Sequence, residues 1–153
     1  MQMTLENIKM ERIMNIDIDG YLILVIGSKR ALIRLRHVKE IIGMRDFTRV
    51  PGLPEYMLGV TNVRGQIVPV CDIARRLSLI SNDNRKRSIV IVETSHGDLG
   101  LVVDELEGIK RELDLSKVKR VEVRDNDFFK GYYLEGKEEL YMLDFMEQAN
   151  ENI

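Results

Sequence analysis

A chain of 153 residues is the size of one domain and buries roughly 70% of its unfolded surface, so it needs neither disulfides nor metal to hold a core. With 44% hydrophobic and 31% charged residues it reads as a folded globular chain, and 23 basic against 25 acidic side chains, net −2, give no general pull toward nucleic acid or anionic lipid. The longest apolar run, Tyr21 to Ile26, is too short to cross a bilayer, no secretion signal is expected at the N-terminus, and the lone Cys71 fits a reducing cytoplasm.

Residues 1–20 read as an extension in which Met10, Ile13 and Met14 would share one face of a short helix. Asn15 to Gly20 imitates the start of a calcium loop, but Ile26 stands where the bidentate glutamate is required, which rules calcium out. Tyr21 to Ile26 predicts a buried strand, Gly27 to Lys29 a turn and Ala31 to Leu35 its hairpin partner. Val38, Ile41 and Ile42 suggest one helical turn or an irregular segment with Glu40 facing away from them.

Pro51 and Pro54 stiffen the approach to the next elements and push Val50 and Leu53 toward extended backbone. A strand from Leu58 to Val63, a turn at Arg64-Gly65-Gln66 and a strand from Ile67 to Ile73 follow, with Gly65 supplying the positive φ a tight hairpin needs. Pro69 has no N–H for a ladder and suggests an edge or bulge, while Asp72 is placed to cap a short helix, Ile73 to Leu77. Ser81 to Arg87 is all polar and marks the boundary between two halves. Beyond it come strands at Ile89 to Val92 and Leu99 to Val103, a turn between them at Thr94 to Asp98, and an irregular stretch from Lys110 to Lys130. A last hairpin turns near Gly136.

The pattern restarts after the boundary. Leu35, Val38 and Ile41 recur 68 positions on as Val103, Leu106 and Ile109, and Gly59, Val70, Asp72 and Ile73 recur 72 positions on as Gly131, Met142, Asp144 and Phe145. Two copies of one hairpin-rich module, packed on each other through an apolar seam, account for this.

Catalytic chemistry has no visible constellation: there is no CxxC, HExxH, GxSxG or phosphate-binding glycine loop. His37 and His96 read as solvated surface histidines, Cys71 as a small buried hydrophobe, and Asp125 and Asp127 as turn residues. Five tyrosines and four phenylalanines spread along the chain are thin for a base-stacking platform. Arg64 and Glu40 are either a surface ion pair or a donor fork presented to a partner and oriented by the carboxylate.

The string from Pro51 to Leu77, P-x-x-P-x-Y-x-x-G-V-x-N-x-R-G-x-I-x-P-V-x-D-I-x-R-R-L, resembles the core of CheW-like chemotaxis coupling domains. Val38-x-Glu40-Ile41, Gly100 to Leu106 and Leu140 to Phe145 match in order, so the resemblance covers roughly residues 21–146. It implies a mainly β domain at 21–147, flanked by the extension and a tail at 148–153, built as two interleaved five-stranded β-barrels on a shared apolar core. It further implies a cytoplasmic, non-catalytic adaptor without cofactor or metal, which couples the cytoplasmic tip of methyl-accepting chemoreceptors to the regulatory domain of the histidine kinase CheA, with contacts between CheW-like copies in arrays. Val38, Glu40, Gly59 and Arg64 are the matched positions that the resemblance places on the partner surface. A single-stranded nucleic-acid-binding barrel and a scaffold of a twitching or gliding pathway stand as the alternatives.

Overall fold

The computed structural model describes residues 20–80, 87–120 and 128–146. The extension with Met10, Ile13 and Met14, most of the polar boundary loop, and Asp125 and Asp127 lie outside the described residues.

Strands dominate because the apolar runs are rich in Val, Ile and Leu and are cut by turn residues every few positions. The first hairpin is β1 (Tyr21–Ile26) and β2 (Lys29–Arg34), turning at Gly27 with φ 63°. A single 3₁₀ turn, Leu35–His37, leads into β3 (Val38–Gly43). Next come β4 (Met57–Val63), β5 (Gln66–Asp72) and the one-turn helix α1 (Ile73–Arg76), whose N-terminus is capped by the Asp72 carboxylate accepting from the Arg75 N–H at 3.4 Å. The second half supplies β6 (Ser88–Thr94), β7 (Gly97–Val103), β8 (Glu105–Lys110), a 3₁₀ turn at Leu115–Lys117, β9 (Val118–Arg120), β10 (Phe129–Glu135) and β11 (Glu138–Leu143).

Three expectations need correction here. Val38 to Gly43 is a strand and not a helical turn: a bulge at Lys39 shifts its register on β6, which is what produced the helix-like spacing of its apolar residues. Pro69 lies on an internal strand, but β5 takes up its parallel ladder with β7 only from Val70 onward. His37 is largely buried, and its Nδ1 has no hydrogen-bond partner within the described residues. Burial, opposed by nearby Asp144, lowers its affinity for a proton.

The strands form two sheets, one ordered β8-β1-β2-β11-β10-β9 and the other β3-β6-β7-β5-β4. Each therefore mixes strands from both halves of the chain. The joins are equivalent under the sequence repeat: Val38 pairs Val92 as Leu24 pairs Leu106, and Cys71 pairs Leu101 in parallel as Leu143 pairs Ile33. Three apolar clusters result among the described residues. The largest lies between the sheets and takes Leu24, Ile33 and Leu35 from one side and Val38, Ile73 and Leu101 from the other, all within 1% of full burial. Each such side chain contributes about 1.5–3 kcal/mol on leaving water. The smaller two sit inside the curl of each sheet, Val68, Val70 and Ile89 in one and Leu32, Tyr133 and Leu140 in the other.

Closed five-stranded barrels do not form. Among the described residues no ladder joins β3 to β4, or β8 to β9; a single bridge between Thr48 and Val60 ties the segment after β3 to the far edge of its sheet. The chain leaves β3 at Gly43 through Met44, Arg45, Asp46 and Phe47, which make no ladder, so the sheet curls without sealing. In the other sheet the same path carries a short extra strand, β9, which makes that sheet six-stranded.

Gly59 and Gly131 explain why the edge segments approach so closely. Both have strongly positive φ, 139° and 136°, both sit beside register shifts, and a Cβ on either would drive into a backbone carbonyl, of Thr48 in one case and Lys119 in the other. Across the seam the Arg76 guanidinium lies 4.7 Å from the Tyr56 ring centroid and 5.2 Å from that of Phe128, bridging two positions that the repeat makes equivalent.

Gly59→Ala and Gly131→Ala should each lower unfolding stability by roughly 2–4 kcal/mol in urea titrations, while Gly43→Ala, exposed and with open space at its Cβ, should stay within about 0.5 kcal/mol of wild type. Burial pushes the Cys71 thiol up to about 12. At pH 8 it should therefore react with a disulfide reagent only as fast as the protein opens, and promptly once denatured; immediate modification of the native protein would contradict this placement.

Candidate functional site

The β4–β5 hairpin turns on Arg64 and Gly65, with φ of 51° and 84°, values of a two-residue type I′ turn. Asn62 supports the turn through its side-chain oxygen, which accepts from the Gly65 N–H at 2.8 Å. The left-handed region costs a residue with a side chain about 1–2 kcal/mol, and the equivalent position of the other sheet, in the β10–β11 turn, is Gly136 with φ 63°. Arginine thus stands where the repeat elsewhere uses glycine. Strain of this kind points to a job for the side chain.

Glu40 follows the bulge on β3 and takes the Arg64 Nη2 in a hydrogen bond of 2.8 Å. The two partners differ in environment: the Arg64 side chain is 77% exposed and that of Glu40 17%. A pair this open is worth about 0–1 kcal/mol, so its geometry matters more than its energy. The carboxylate anchors one edge of the guanidinium and leaves most of the fork facing solvent.

The pair forms the rim of an open cleft of about 320 Å³, floored by Val63, Val68 and Ile91. A second ion pair also lines the cleft, where Lys39 Nζ reaches the two Asp98 carboxylate oxygens at 3.1 and 3.2 Å. Apolar side chains beside two neutralised ion pairs suit a side chain inserted from a partner surface. Among the described residues no His, Cys, Asp and Glu group could hold a metal ion.

The four matched positions are thus separated. Glu40 and Arg64 come together on the cleft rim. Val38 is 0% exposed in the shared core, so its side chain cannot touch a partner and its effect there is on the packing under β3. Gly59 is buried in its bulge against Thr48, a structural position. Lys39, Gln66 and Asp98, which also line the cleft, escaped the sequence reading; the signal that could have found them is the repeat itself, which sets Asp98 opposite Arg30 and Lys39 opposite Glu107 with charges exchanged.

Comparison with known proteins agrees with this frame. A domain family described as CheW-like domain matches residues 20–150. The chain is 36% identical over 85 residues to a probable chemotaxis protein CheW of Rhizobium etli, covering 55% of each chain. It is 31% identical over 86 residues to the chemotaxis protein CheW of Thermotoga maritima, covering 54% of this chain and 57% of that one. These alignments span about half the length of the curated relatives. The crystal structure of the scaffolding protein TtCheW from Thermoanaerobacter tengcongensis superposes with a TM-score of 0.71 at 21% identity, over 84% of this chain and 90% of that one, which shows a common fold. With the family match running across both sheets and the cleft, the chain belongs to the CheW-like domain family.

Proposed function

We propose that this protein is a non-catalytic adaptor that couples the cytoplasmic tips of methyl-accepting chemoreceptors to the histidine kinase CheA. It works in the cytoplasm and reaches membrane receptor arrays through its partners. The observation that carries the reading is Arg64, an exposed arginine kept at φ 51° beside a cleft and oriented by Glu40, on a chain of the CheW-like family. A coupling protein needs surfaces that bind and release while its fold stays fixed, and the cleft rim has that character: its ion pair is exposed and weak, and it is mounted on a sheet whose core is buried. Among the described residues no helix is long and apolar enough to cross a membrane, in keeping with attachment through partners.

Arg64 contacts a partner through the exposed part of its fork, and the inserted partner side chain rests on Val63, Val68 and Ile91. Glu40 anchors one edge of the guanidinium. Lys39 and Asp98, paired with each other, also line the cleft.

Arg64→Gly separates binding from folding. Glycine removes the strain of the positive φ while the lost ion pair costs little, so unfolding stability should remain within about 1 kcal/mol of wild type or rise slightly. Co-sedimentation with a helical receptor-tip fragment and CheA should fall at least tenfold for the same variant. Undiminished ternary complex with Arg64→Gly would remove Arg64 from the working surface, and no complex with the wild type would remove the adaptor role.

A further inference from the structure

The positions that line the cleft have counterparts in the six-stranded sheet, and there long side chains bond one another across them. Lys39 occupies the bulge between the Val38 and Glu40 pairings, and Glu107 occupies the matching bulge between Leu106 and Gly108. Lys39 bonds Asp98; Glu107 accepts from Arg30 at 2.6 Å, and Arg30 is the equivalent of Asp98 on its hairpin. One ion pair thus recurs with its charges exchanged.

Side-chain length then decides the outcome. Asp98 is short and stays with Lys39, so space remains above the apolar floor. Arg30 is long and, besides Glu107 on β8, reaches the adjoining β10–β11 hairpin, where Nε and Nη2 donate to the two Glu138 oxygens at 2.7 and 2.6 Å and Nη2 reaches Glu135 at 3.4 Å. The rims are reversed as well: Glu40 and Arg64 flank the open cleft, whereas their equivalents are Gly108 and Gly136, with no side chain to offer. Lys110 also bonds Glu135 at 3.0 Å, joining two strands that are not neighbours in the sheet, where the other sheet places apolar Ile42 and Val63.

We propose that Arg30 is an intramolecular plug, the chain's own occupant of a second mouth built on the plan of the open cleft, which it fills among the described residues. The inference concerns the second mouth alone and stands whether or not the open cleft binds receptor or kinase. The side chain is 21% exposed and its guanidinium is ringed by Glu107, Glu135 and Glu138, a fit that only a planar cationic fork satisfies on more than one edge. A plug differs from a strut in a measurable way. Removing a strut collapses the structure around it; removing a plug leaves a preformed mouth that accepts a substitute.

The test is chemical rescue of Arg30→Ala by methylguanidinium at millimolar concentration, followed by thermal unfolding. The variant should lose about 5–10 °C in Tm, and methylguanidinium should restore at least half of that loss along a saturating curve. Wild type should not respond, tetramethylammonium at equal concentration should not substitute, and adding Glu138→Gln to the variant should abolish the rescue. If Arg30→Ala is unfolded by itself, folding on addition of methylguanidinium carries the same meaning. A folded variant without saturable rescue, a gain equal to that from tetramethylammonium, or a variant that stays unfolded in methylguanidinium would each overturn the plug.

Discussion

Neither half of this chain can finish a sheet by itself, and that constraint governs everything else in the molecule. The first half supplies β1 and β2 to one sheet and β3, β4 and β5 to the other; the second half completes both. Parallel ladders join β5 to β7 and β11 to β2, and antiparallel ladders join β3 to β6 and β1 to β8, so all four seams cross between halves. An unpaired edge exposes a row of N–H and C=O groups, and burying it requires the other half's strand. The shared core between the sheets follows from the same exchange, since residues of both halves lie on each side of it.

The exchange produces a near-symmetric frame that is used asymmetrically. Equivalent bulges, turns and buried glycines recur in both sheets, with Gly59 matching Gly131 in φ to within a few degrees. What differs is a small set of side chains at the two mouths. Where the five-stranded sheet has a short acid, an exposed arginine and a half-buried glutamate, the six-stranded sheet has a long arginine and two glycines. Backbone geometry is therefore the common inheritance of the two sheets, and the side chains of Arg64, Glu40, Asp98 and Arg30 decide which of them presents a cleft.

Most of the strand plan was legible in the sequence because β-branched runs cut by Gly-containing turns leave few alternatives, and both hairpin turns at Gly65 and Gly136 lie where glycine set them. The segment from Val38 to Gly43 misled because a bulge breaks the period-two alternation on which a strand is recognised; Val38 and Ile41 share the core across Lys39. His37 misled for a different reason. A histidine with no ligand partner nearby in the sequence reads as solvated, but in the fold its side chain is largely buried, close to Asp144 of the other half. Of the site, the pairing of Arg64 with Glu40 was open to sequence reasoning, whereas the burial of Val38 depends on which face of β3 meets the other sheet, a tertiary fact. The openness of one mouth and the closure of the other rest on single side chains from strands far apart in sequence, which no local pattern encodes.

The most direct test of the exchanged frame is to divide the chain within residues 81–86 and follow each half by circular dichroism and thermal unfolding, alone and mixed at equal concentration. Each half, left with unpaired sheet edges and half a core, should show no cooperative transition by itself, and the mixture should recover the β signal and the cooperative unfolding of the intact protein. A half that folds and unfolds cooperatively in isolation would contradict the account, because it would show that one sheet can be completed without strands from the other half.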